Sequence, residues 1–255
     1  MDPSVKIVVA AHKPYWMPDD PMYLPVQVGA VGRRSIPGFQ RDDEGDNISE
    51  KNPRFSELTA LYWAWKNLDC DYVGLAHYRR HFATRSGGSP IGYNEILSIL
   101  QQAPVVLPRK RSYYIETVGA HYSHTFDGGH LQILGDVLLE RAPEMLPYFT
   151  EHLEKRSAHI WNMAVMRSDV FDEWCQWLMP VLQDVESRLS FDGMSPFEQR
   201  AIGRLSERLL DPWLNLHSVA YEEVPVYETE KTKWMTKGSA FLAAKFLGKK
   251  YRESF

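Results

Sequence analysis

The chain has 255 residues, enough to bury a full hydrophobic core as one large α/β domain or as one domain with a small appendage. Its net charge of −4 at pH 7 argues against nucleic acid as a partner. Aromatic residues make up 13% of the chain, and a surplus of Trp and Tyr suits a surface that stacks on sugars or nucleosides as well as a core.

The chain has the features expected of a cytoplasmic protein. Its two cysteines, Cys70 and Cys175, are typical of a reducing compartment and cannot form a metal-ligand set by themselves. The N-terminus runs directly into a strand-like segment, with neither a signal-peptide pattern nor an apolar stretch long enough to span a bilayer. We therefore expect an intracellular location.

The first predicted strand covers residues 6–11, which form a β-branched run. It ends in His12 and Lys13, at the position where a nucleotide base and its phosphates bind in a doubly wound sheet. An ordinary strand-to-loop turn is the alternative for Lys13 taken alone. The proline- and glycine-containing segment 14–53 is too long for a connector and predicts a substrate-shaping loop with short strands.

The next predicted unit is a helix followed by a strand. Asn52 as the N-cap and Pro53 at the first helical position predict a helix whose apolar residues recur at helical spacing as far as Leu68. Residues 72–76 form a short apolar run that is typical of a buried strand in a mostly parallel sheet. Residues 53–76 should therefore form one αβ unit.

A cluster of cations and imidazoles follows this strand, namely His77, Tyr78, Arg79, Arg80 and His81. Ligands bind at the carboxyl ends of the strands in open α/β sheets, and a guanidinium binds phosphate oxygens through a rigid fork. The segment therefore predicts an anion-binding site, with a solvated basic turn as the alternative.

A third predicted strand, residues 105–107, also ends in cations, which are Arg109, Lys110 and Arg111. Together with the cations at the two earlier strand ends, they predict one electropositive cleft in an otherwise acidic chain. Such a cleft favours an anionic ligand such as a diphosphate.

Three histidines, His121, His124 and His130, look like a metal cluster at first sight because Asp127 lies among them. Their spacing matches no known ligand motif, and the two glycines after Asp127 indicate a loop. We therefore predict a loop at Gly128-Gly129 and no metal site.

Asn162 is a polar residue inside a predicted buried strand, residues 160–166. Because a buried amide must be hydrogen-bonded, Asn162 either makes a structural hydrogen bond or holds a substrate hydroxyl. The other predicted elements are helices over residues 93–102, 131–141, 143–155, 169–184 (with a kink at Pro180) and 196–214, and a closing segment over residues 224–226.

The last of these helices carries charged residues near one face. Such a face is typical of a solvated salt-bridge ladder, whereas beside a cleft Glu207 would be a positioned carboxylate. The residues concerned are Arg200, Arg204, Glu207, Arg208 and Asp211.

From Lys231 onward the chain becomes basic, with seven Lys/Arg against one Glu. The tail, residues 231–255, thus carries +6 and leaves −10 on residues 1–230. Aromatic residues are interleaved with these cations, which predicts an amphipathic helix that binds an anionic membrane surface at about 1 kcal/mol per cation. A disordered tail is the alternative. We expect a peripheral protein on the inner face of the cell membrane.

Seven short sequence motifs, spread over about residues 6–226, are informative when they are taken together. The motifs are His12-Lys13-Pro14-Tyr15, Asp46-Asn47-Ile48-Ser49, Glu57-Leu58-Thr59, Tyr62-Trp63-Ala64-Trp65-Lys66-Asn67, Gly74-Leu75-Ala76-His77-Tyr78-Arg79-Arg80, Trp161-Asn162-Met163 and Ser206-Glu207-Arg208-Leu209. In this order they resemble a bacterial family of capsular and exopolysaccharide biosynthesis proteins, generally described as glycosyltransferases. Some members look like galactofuranosyltransferases, which use a UDP-sugar donor and a lipid-linked or oligosaccharide acceptor.

The resemblance implies an α/β fold like the GT-A class of nucleotide-sugar transferases, with a central, mostly parallel sheet flanked by helices. The implied donor-binding residues are His12, Lys13, Asp46, Asn47, Ile48, Glu57, His77, Tyr78, Arg79 and Arg80. The implied acceptor-binding residues are Trp161, Asn162, Met163 and Arg208. For the catalytic base, the candidates are Glu207 and Asp127, with Glu207 first because it lies in a family-like block. The alternative for Glu207 is an ion pair with Arg204 or Arg208.

Enzymes of the GT-A class usually carry an Asp-x-Asp motif at a strand end, where it holds a divalent metal against the diphosphate. Here Asp69-Cys70-Asp71 has that spelling but precedes its strand, and the cationic residues 77–80 stand at the expected position. We therefore expect His77, Arg79 and Arg80 to hold the diphosphate and neutralise the leaving UDP, so that no cofactor is required, although Mn²⁺ or Mg²⁺ remains possible. The competing interpretation places Arg79 or Arg80 in a structural ion pair and a metal on acids of residues 42–46.

Two other functions stay open. One is a non-catalytic nucleotide-sugar- or glycan-binding subunit of a polysaccharide assembly complex. The other is a phosphoryl-transfer or phosphatase enzyme that uses Arg80 and His81, although the glycine that normally follows such an Arg-His pair is missing.

Overall fold

The structure is a computed structural model that describes residues 2–230. The predicted basic tail, residues 231–255, lies outside the described residues. The strands are β1 (Val5–Ala11), β2 (Tyr23–Gln27), β3 (Gln40–Arg41), β4 (Tyr72–His77), β5 (Arg80–Phe82), β6 (Val105–Pro108), β7 (Arg111–Ser112), β8 (Ser157–Ala158), β9 (Ala164–Arg167), β10 (Tyr221–Val224) and β11 (Val226–Glu228).

The helices cover both faces of the sheet. They are α1 (Asn52–Phe55), α2 (Leu58–Asn67), α3 (Tyr93–Leu100), α4 (Val118–Thr125), α5 (Gly129–Arg141), α6 (Leu146–Glu154), α7 (Ser168–Arg188), α8 (Pro196–Gln199), α9 (Ala201–Ser206) and α10 (Leu210–Leu216), with single 3-10 turns at Ser49–Lys51 and Pro143–Met145. No helix within residues 2–230 is long and apolar enough to cross a lipid bilayer.

The central sheet has the strand order β10-β6-β9-β4-β1-β2-β3. Its strands are parallel except for β9, which runs antiparallel to both of its neighbours, β4 and β6. The short strand β5 adds antiparallel to the end of β4 and pairs with β11, while β7 and β8 form a separate ribbon. The prediction of an α/β fold with a central, mostly parallel sheet is confirmed.

Alternating side chains of the sheet divide the core into two layers, as the period of two in a strand requires. Val8, Leu75 and Leu107 point toward the layer covered by α2, α7 and α10. Ile7 and Val106 point to the opposite layer, which includes residues of α3. The predicted strands at residues 6–11, 72–76 and 105–107 are therefore the buried centre of the molecule.

The two helices predicted over 53–68 and 196–214 are broken in the structure. The first divides at Ser56, whose φ of 54° lies in the left-handed region, and Asn52 is its first helical residue rather than its N-cap. The second divides into α8, α9 and α10. Arg208 and Asp211 are only 4% and 5% exposed, so the prediction of one helix with a solvated charged face is wrong.

Several boundaries differ from the predictions. The loop predicted at Gly128-Gly129 is a short break, because α4 extends to Thr125 and α5 already begins at Gly129. The strand predicted over 160–166 is confined to β9, and Asn162 precedes it in a turn. The helix α7 continues through Pro180 as far as Arg188.

Candidate active site

The carboxyl edge of the parallel strands brings the predicted cationic residues together. Strands β1 and β4 are parallel neighbours, so His12 and the segment 77–80 emerge side by side. Strand β9 is antiparallel to β4, so its amino end, with Trp161 and Asn162 just before it, lies at the same edge. Three of the predicted motifs thus meet at one place.

Tyr78 is the centre of an aromatic and cationic cluster at this edge. Its ring centroid lies 5.2 Å from that of His12 and 4.9 Å from that of Tyr15, both in edge-to-face geometry. The Lys13 Nζ atom lies 5.6 Å from the same ring centroid. These contacts fix the cationic side chains of the β1 end against the end of β4.

The pKa of His12 reflects the positive charge that surrounds it at this edge of the sheet. Burial, followed by the charges of Lys13, Arg200, Arg33 and Arg79, lowers the pKa of His12 below its usual value. Arg200 and Arg33 come from α9's amino end and from the loop after β2, respectively, so four segments of the chain contribute cations. The site is therefore suited to an anion.

Arg80 is held against Trp161. Its guanidinium carbon lies 4.8 Å from the Trp161 ring centroid, and its side chain is 14% exposed. The Nε atom lies 3.6 Å from Glu228 Oε1, beyond hydrogen-bond length, and it has no hydrogen-bond partner among the described residues. Burial lowers the pKa of Arg80, although a guanidinium stays charged. This cation is aligned by packing and only loosely neutralised.

Arg79 is the more accessible of the two arginines, with 33% of its side chain exposed. Its Nη1 atom lies 3.9 Å from Glu230 Oε2, and the other oxygen of Glu230 accepts a hydrogen bond from the Tyr15 hydroxyl at 2.6 Å. Carboxylates that follow β10 thus approach both arginines. Sequence analysis missed Glu228 and Glu230, because only the β5–β11 pairing brings them here.

Glu207, the first candidate base, lies beside this cluster. Its Oε2 atom accepts a hydrogen bond of 2.5 Å from Nη1 of the buried Arg208, so the ion pair considered as an alternative is present. The charge of Glu207 also acts on Arg80, which places the two side chains within electrostatic range. Burial and the charge of Arg200 lower the pKa of the neighbouring Arg204 to about 10. The role of Glu207 as the catalytic base stays a prediction.

Asp127, the second candidate base, is exposed and lies two residues before α5, where its Oδ1 atom accepts a hydrogen bond of 2.9 Å from the backbone N–H of Gly129. This contact is typical of a helix start. No contact joins Asp127 to Arg79 or Arg80 within the part of the chain that the structure describes. Its catalytic role stays a prediction.

The residues predicted to bind the nucleotide-sugar donor at positions 46–48 lie along α2. Asp46 accepts a hydrogen bond from the Tyr62 hydroxyl, and its backbone N–H donates to Asn67. The Asn47 amide donates to backbone carbonyls in its own turn, and Ile48 packs against the core. These contacts are structural, and a role in donor binding stays a prediction.

The carboxylates of Asp42 and Asp43, in the same loop, already have hydrogen-bond or ion-pair partners. Asp42 is fully buried and accepts hydrogen bonds from the backbone N–H groups of Gly29 and Ala30 and from the hydroxyls of Ser49 and Thr59. The carboxylate of Asp43 pairs with Arg41. A metal held by acids of 42–46 would therefore have to displace several existing hydrogen bonds.

The predicted histidine cluster is organised around a carboxylate. Glu116 contacts the Nδ1 atoms of His121 at 3.0 Å and His124 at 2.8 Å, while His130 lies within 3.2 Å of the Tyr122 hydroxyl. Residues 2–230 contain no group of three or more His, Cys, Asp and Glu side chains arranged to hold a metal ion.

A buried network beyond β6 was missed by the sequence analysis. The ring nitrogens of His159 contact Asp211 and, at 2.8 Å, Glu223, while Lys110 Nζ lies 3.9 Å from Asp211. The paired charges lower the pKa of Asp211 against the effect of its burial. Lys110, predicted as part of the cleft, thus belongs to this network, and Arg109 is exposed nearby.

Comparisons with known proteins bear on the family and the fold. Residues 6–218 match the family described as "Domain of unknown function (DUF4422)". No curated protein matches the chain. Among solved structures, the apo structure of the bifunctional glycosyltransferase WbbM is similar, with 26% sequence identity and a TM-score of 0.83. The similarity covers 89% of this chain and 46% of the WbbM chain, so this chain spans less than half the length of that relative.

The sheet order, with the antiparallel β9 inside a parallel sheet, and the similarity to WbbM define a GT-A-like glycosyltransferase fold. The predicted fold class is therefore confirmed. The chain belongs to the DUF4422 family.

Proposed function

We propose that the protein is a glycosyltransferase that moves a hexosyl group, such as galactofuranosyl, from a UDP-sugar to a glycan or lipid-linked glycan in cell-surface polysaccharide synthesis. The observation that carries the proposal is the cationic segment 77–80 at the carboxyl edge of β4, next to His12, in a fold shared with a bifunctional glycosyltransferase. Ligands of open α/β sheets bind at this edge.

The donor diphosphate binds Arg79 and Arg80. When the bond between the sugar carbon and the diphosphate breaks, its electron pair stays on the phosphate oxygen, and the preorganised guanidinium groups stabilise that charge. His12 and Lys13 extend the positive surface from the neighbouring strand. No metal cofactor is required in this proposal, because cations stand where the acid pair would be expected.

The acceptor hydroxyl attacks the sugar carbon and gives its proton to a carboxylate. Glu207 is the residue proposed for this step, since its neighbour Ser206 bonds Asn162 beside Trp161, and the hydrogen bond from Arg208 engages one of its two carboxylate oxygens, Oε2. The Trp161 ring, half-buried beside Arg80, offers an apolar face for a sugar. The basic residues 231–255 bind the anionic inner face of the membrane, where a lipid-linked acceptor is found.

A panel of UDP-sugars, each incubated with oligosaccharide and lipid-linked acceptors, tests the proposal by mass spectrometry of the products. The proposal expects one donor to give an acceptor that is heavier by one sugar residue, together with free UDP. Donor binding without turnover would instead support a non-catalytic binding subunit. Release of inorganic phosphate would support the phosphatase alternative.

A further inference from the structure

Two consecutive residues at the amino end of β9 have an unusual backbone conformation. Trp161 has φ of 73° and Asn162 has φ of 54°, and both lie in the left-handed region that residues with a side chain rarely adopt. Such conformations persist only where the surrounding contacts fix them, and they concentrate at functional sites. The contacts that fix this turn therefore indicate what the turn is for.

The side-chain amide of Asn162 has three hydrogen-bond partners. Its Nδ2 atom donates to Glu57 Oε1 at 2.7 Å and to the Gly203 carbonyl at 2.9 Å, and its Oδ1 atom accepts from the Ser206 hydroxyl at 2.7 Å. Both N–H protons of the amide are used, so Asn162 cannot donate to a substrate hydroxyl without losing one of these bonds.

The three partners are themselves fixed. Glu57 is 8% exposed and precedes α2, while Ser206 is fully buried in α9. Gly203 lies so close to α1 that an added Cβ would approach the Phe55 carbonyl oxygen to 3.0 Å. The turn is thus hydrogen-bonded to residues of two helical segments, the amino end of α2 and α9.

The same turn contacts two of the three predicted diphosphate ligands at the β4 end, His77 and Arg80. The carbonyl oxygen of Trp161 lies within hydrogen-bond distance of His77 Nε2, and because a carbonyl can only accept, Nε2 carries the proton. The Trp161 ring lies against the Arg80 guanidinium at 4.8 Å. A shift of this turn would therefore move two residues of the proposed site together.

We infer that Glu57 and Ser206 are positioning residues, which hold Asn162 in its left-handed conformation so that Trp161 orients His77 and Arg80. The inference rests on the proposed function only in treating Arg80 as a donor ligand. It replaces the predicted roles of Glu57 in donor contact and of Asn162 in acceptor contact.

The test compares Glu57→Gln with Glu57→Ala, because glutamine keeps an acceptor oxygen for the Asn162 amide and alanine does not. The first measurement needs no ligand: the ¹⁵N and ¹H signals of the His77 ring, assigned with a His77→Gln variant, report whether Nε2–H remains bonded. The second is UDP affinity by calorimetry. Glu57→Gln should preserve both, whereas Glu57→Ala should alter the His77 signals and weaken UDP binding about tenfold or more, as loss of an orienting contact does.

Asn162→Gly provides a second variant if Glu57→Ala fails to fold, because glycine adopts the left-handed region freely but makes none of the three side-chain bonds. It should reproduce the effects of Glu57→Ala. Two results would overturn the inference: unchanged His77 signals in both Glu57→Ala and Asn162→Gly, or a loss of UDP binding in Glu57→Gln as large as that in Glu57→Ala. If UDP fails to bind even the unaltered protein, the proposed function fails, while the His77 signals still decide the positioning role.

Discussion

At the scale of single residues, the two arginines after β4 differ in their surroundings. Arg80 is buried against Trp161, whereas Arg79 is more exposed and approaches Glu230. Both carboxylate contacts are longer than 3.5 Å, so neither cation is tightly neutralised. An incoming diphosphate would replace these weak contacts with stronger charge-assisted hydrogen bonds.

Replacing either arginine should therefore impair transfer rather than folding. We expect Arg79→Ala or Arg80→Ala to cost roughly 2–4 kcal/mol in transition-state stabilisation, as loss of a charge-stabilising donor does. Steady-state kinetics would show this as a fall in kcat/KM of about 30- to 900-fold. Arg167→Ala is the matched control, because Arg167 ends β9 at the opposite edge of the sheet and pairs with Asp169. An equal loss in that control would show that general charge, not position, is responsible.

The proposed base calls for a different measurement. Glu207→Gln keeps the size of the side chain and an acceptor oxygen for Arg208 but cannot take a proton. We expect kcat to fall by about 10²- to 10⁴-fold, as for loss of a general base, with little change in donor affinity. Thermal unfolding provides the control. A fall in melting temperature that accounts for the lost activity would mark Glu207 as a structural partner of Arg208.

At the scale of secondary-structure elements, the pairing of β4 with β9 holds together the two strands whose ends carry the proposed site. Gly74 of β4 faces Val165 of β9, and an added Cβ would approach Val165 Cγ2 to 2.8 Å and the Ala164 carbonyl oxygen to 3.0 Å. The second contact is with backbone, which cannot move aside without shifting the strand. This glycine is therefore required by close packing between the two strands that carry the site.

Gly74→Ala should accordingly destabilise the protein by about 1–3 kcal/mol, the usual cost of overpacking a core. Urea unfolding measures this change in the free energy of unfolding. Gly135→Ala is the control, because Gly135 lies inside α5 with nothing within 4 Å of its added Cβ, and alanine favours a helix interior. The packing argument predicts opposite signs for the two variants; equal effects would contradict it.

The elements also show what a sequence can predict. Strands β1, β4 and β6 were predicted because apolar runs mark buried strands, and the cations after them predicted that His12 and residues 77–80 share one cleft. The breaks at Ser56 and before Asn162 were not predicted, because a left-handed residue other than glycine is fixed by distant partners. Asn162 and Glu57, for example, are 105 positions apart. Local patterns contain no signal for such a contact.

At the scale of the whole molecule, two buried histidines make stability depend on pH. Burial lowers the pKa of both His81 and His152 to about 4, and the ring nitrogens of neither make a hydrogen bond within the described residues. In the unfolded chain each would protonate near pH 6.5. Between these values the unfolded state binds more protons, so stability falls as the pH falls.

We expect the free energy of unfolding to decrease from pH 6.5 towards pH 4, by at most about 1.4 kcal/mol per pH unit for each histidine, and to level off for these groups below that range. Urea titrations at several pH values measure it. His81→Phe should make the dependence shallower, because a phenyl ring is aromatic like the imidazole that contacts Trp16 and Tyr23 but does not titrate. A stability that stays constant between pH 6.5 and pH 4.5 would refute this explanation.

The central claim is that sugar transfer occurs at the carboxyl edge of β4 with arginines, rather than a metal ion, stabilising the leaving diphosphate. The most direct test is the initial rate of sugar transfer from the active UDP-sugar, measured in EDTA and again after addition of excess Mn²⁺. We predict nearly the same rate in both conditions. A rate abolished by EDTA and restored by Mn²⁺ would contradict the claim.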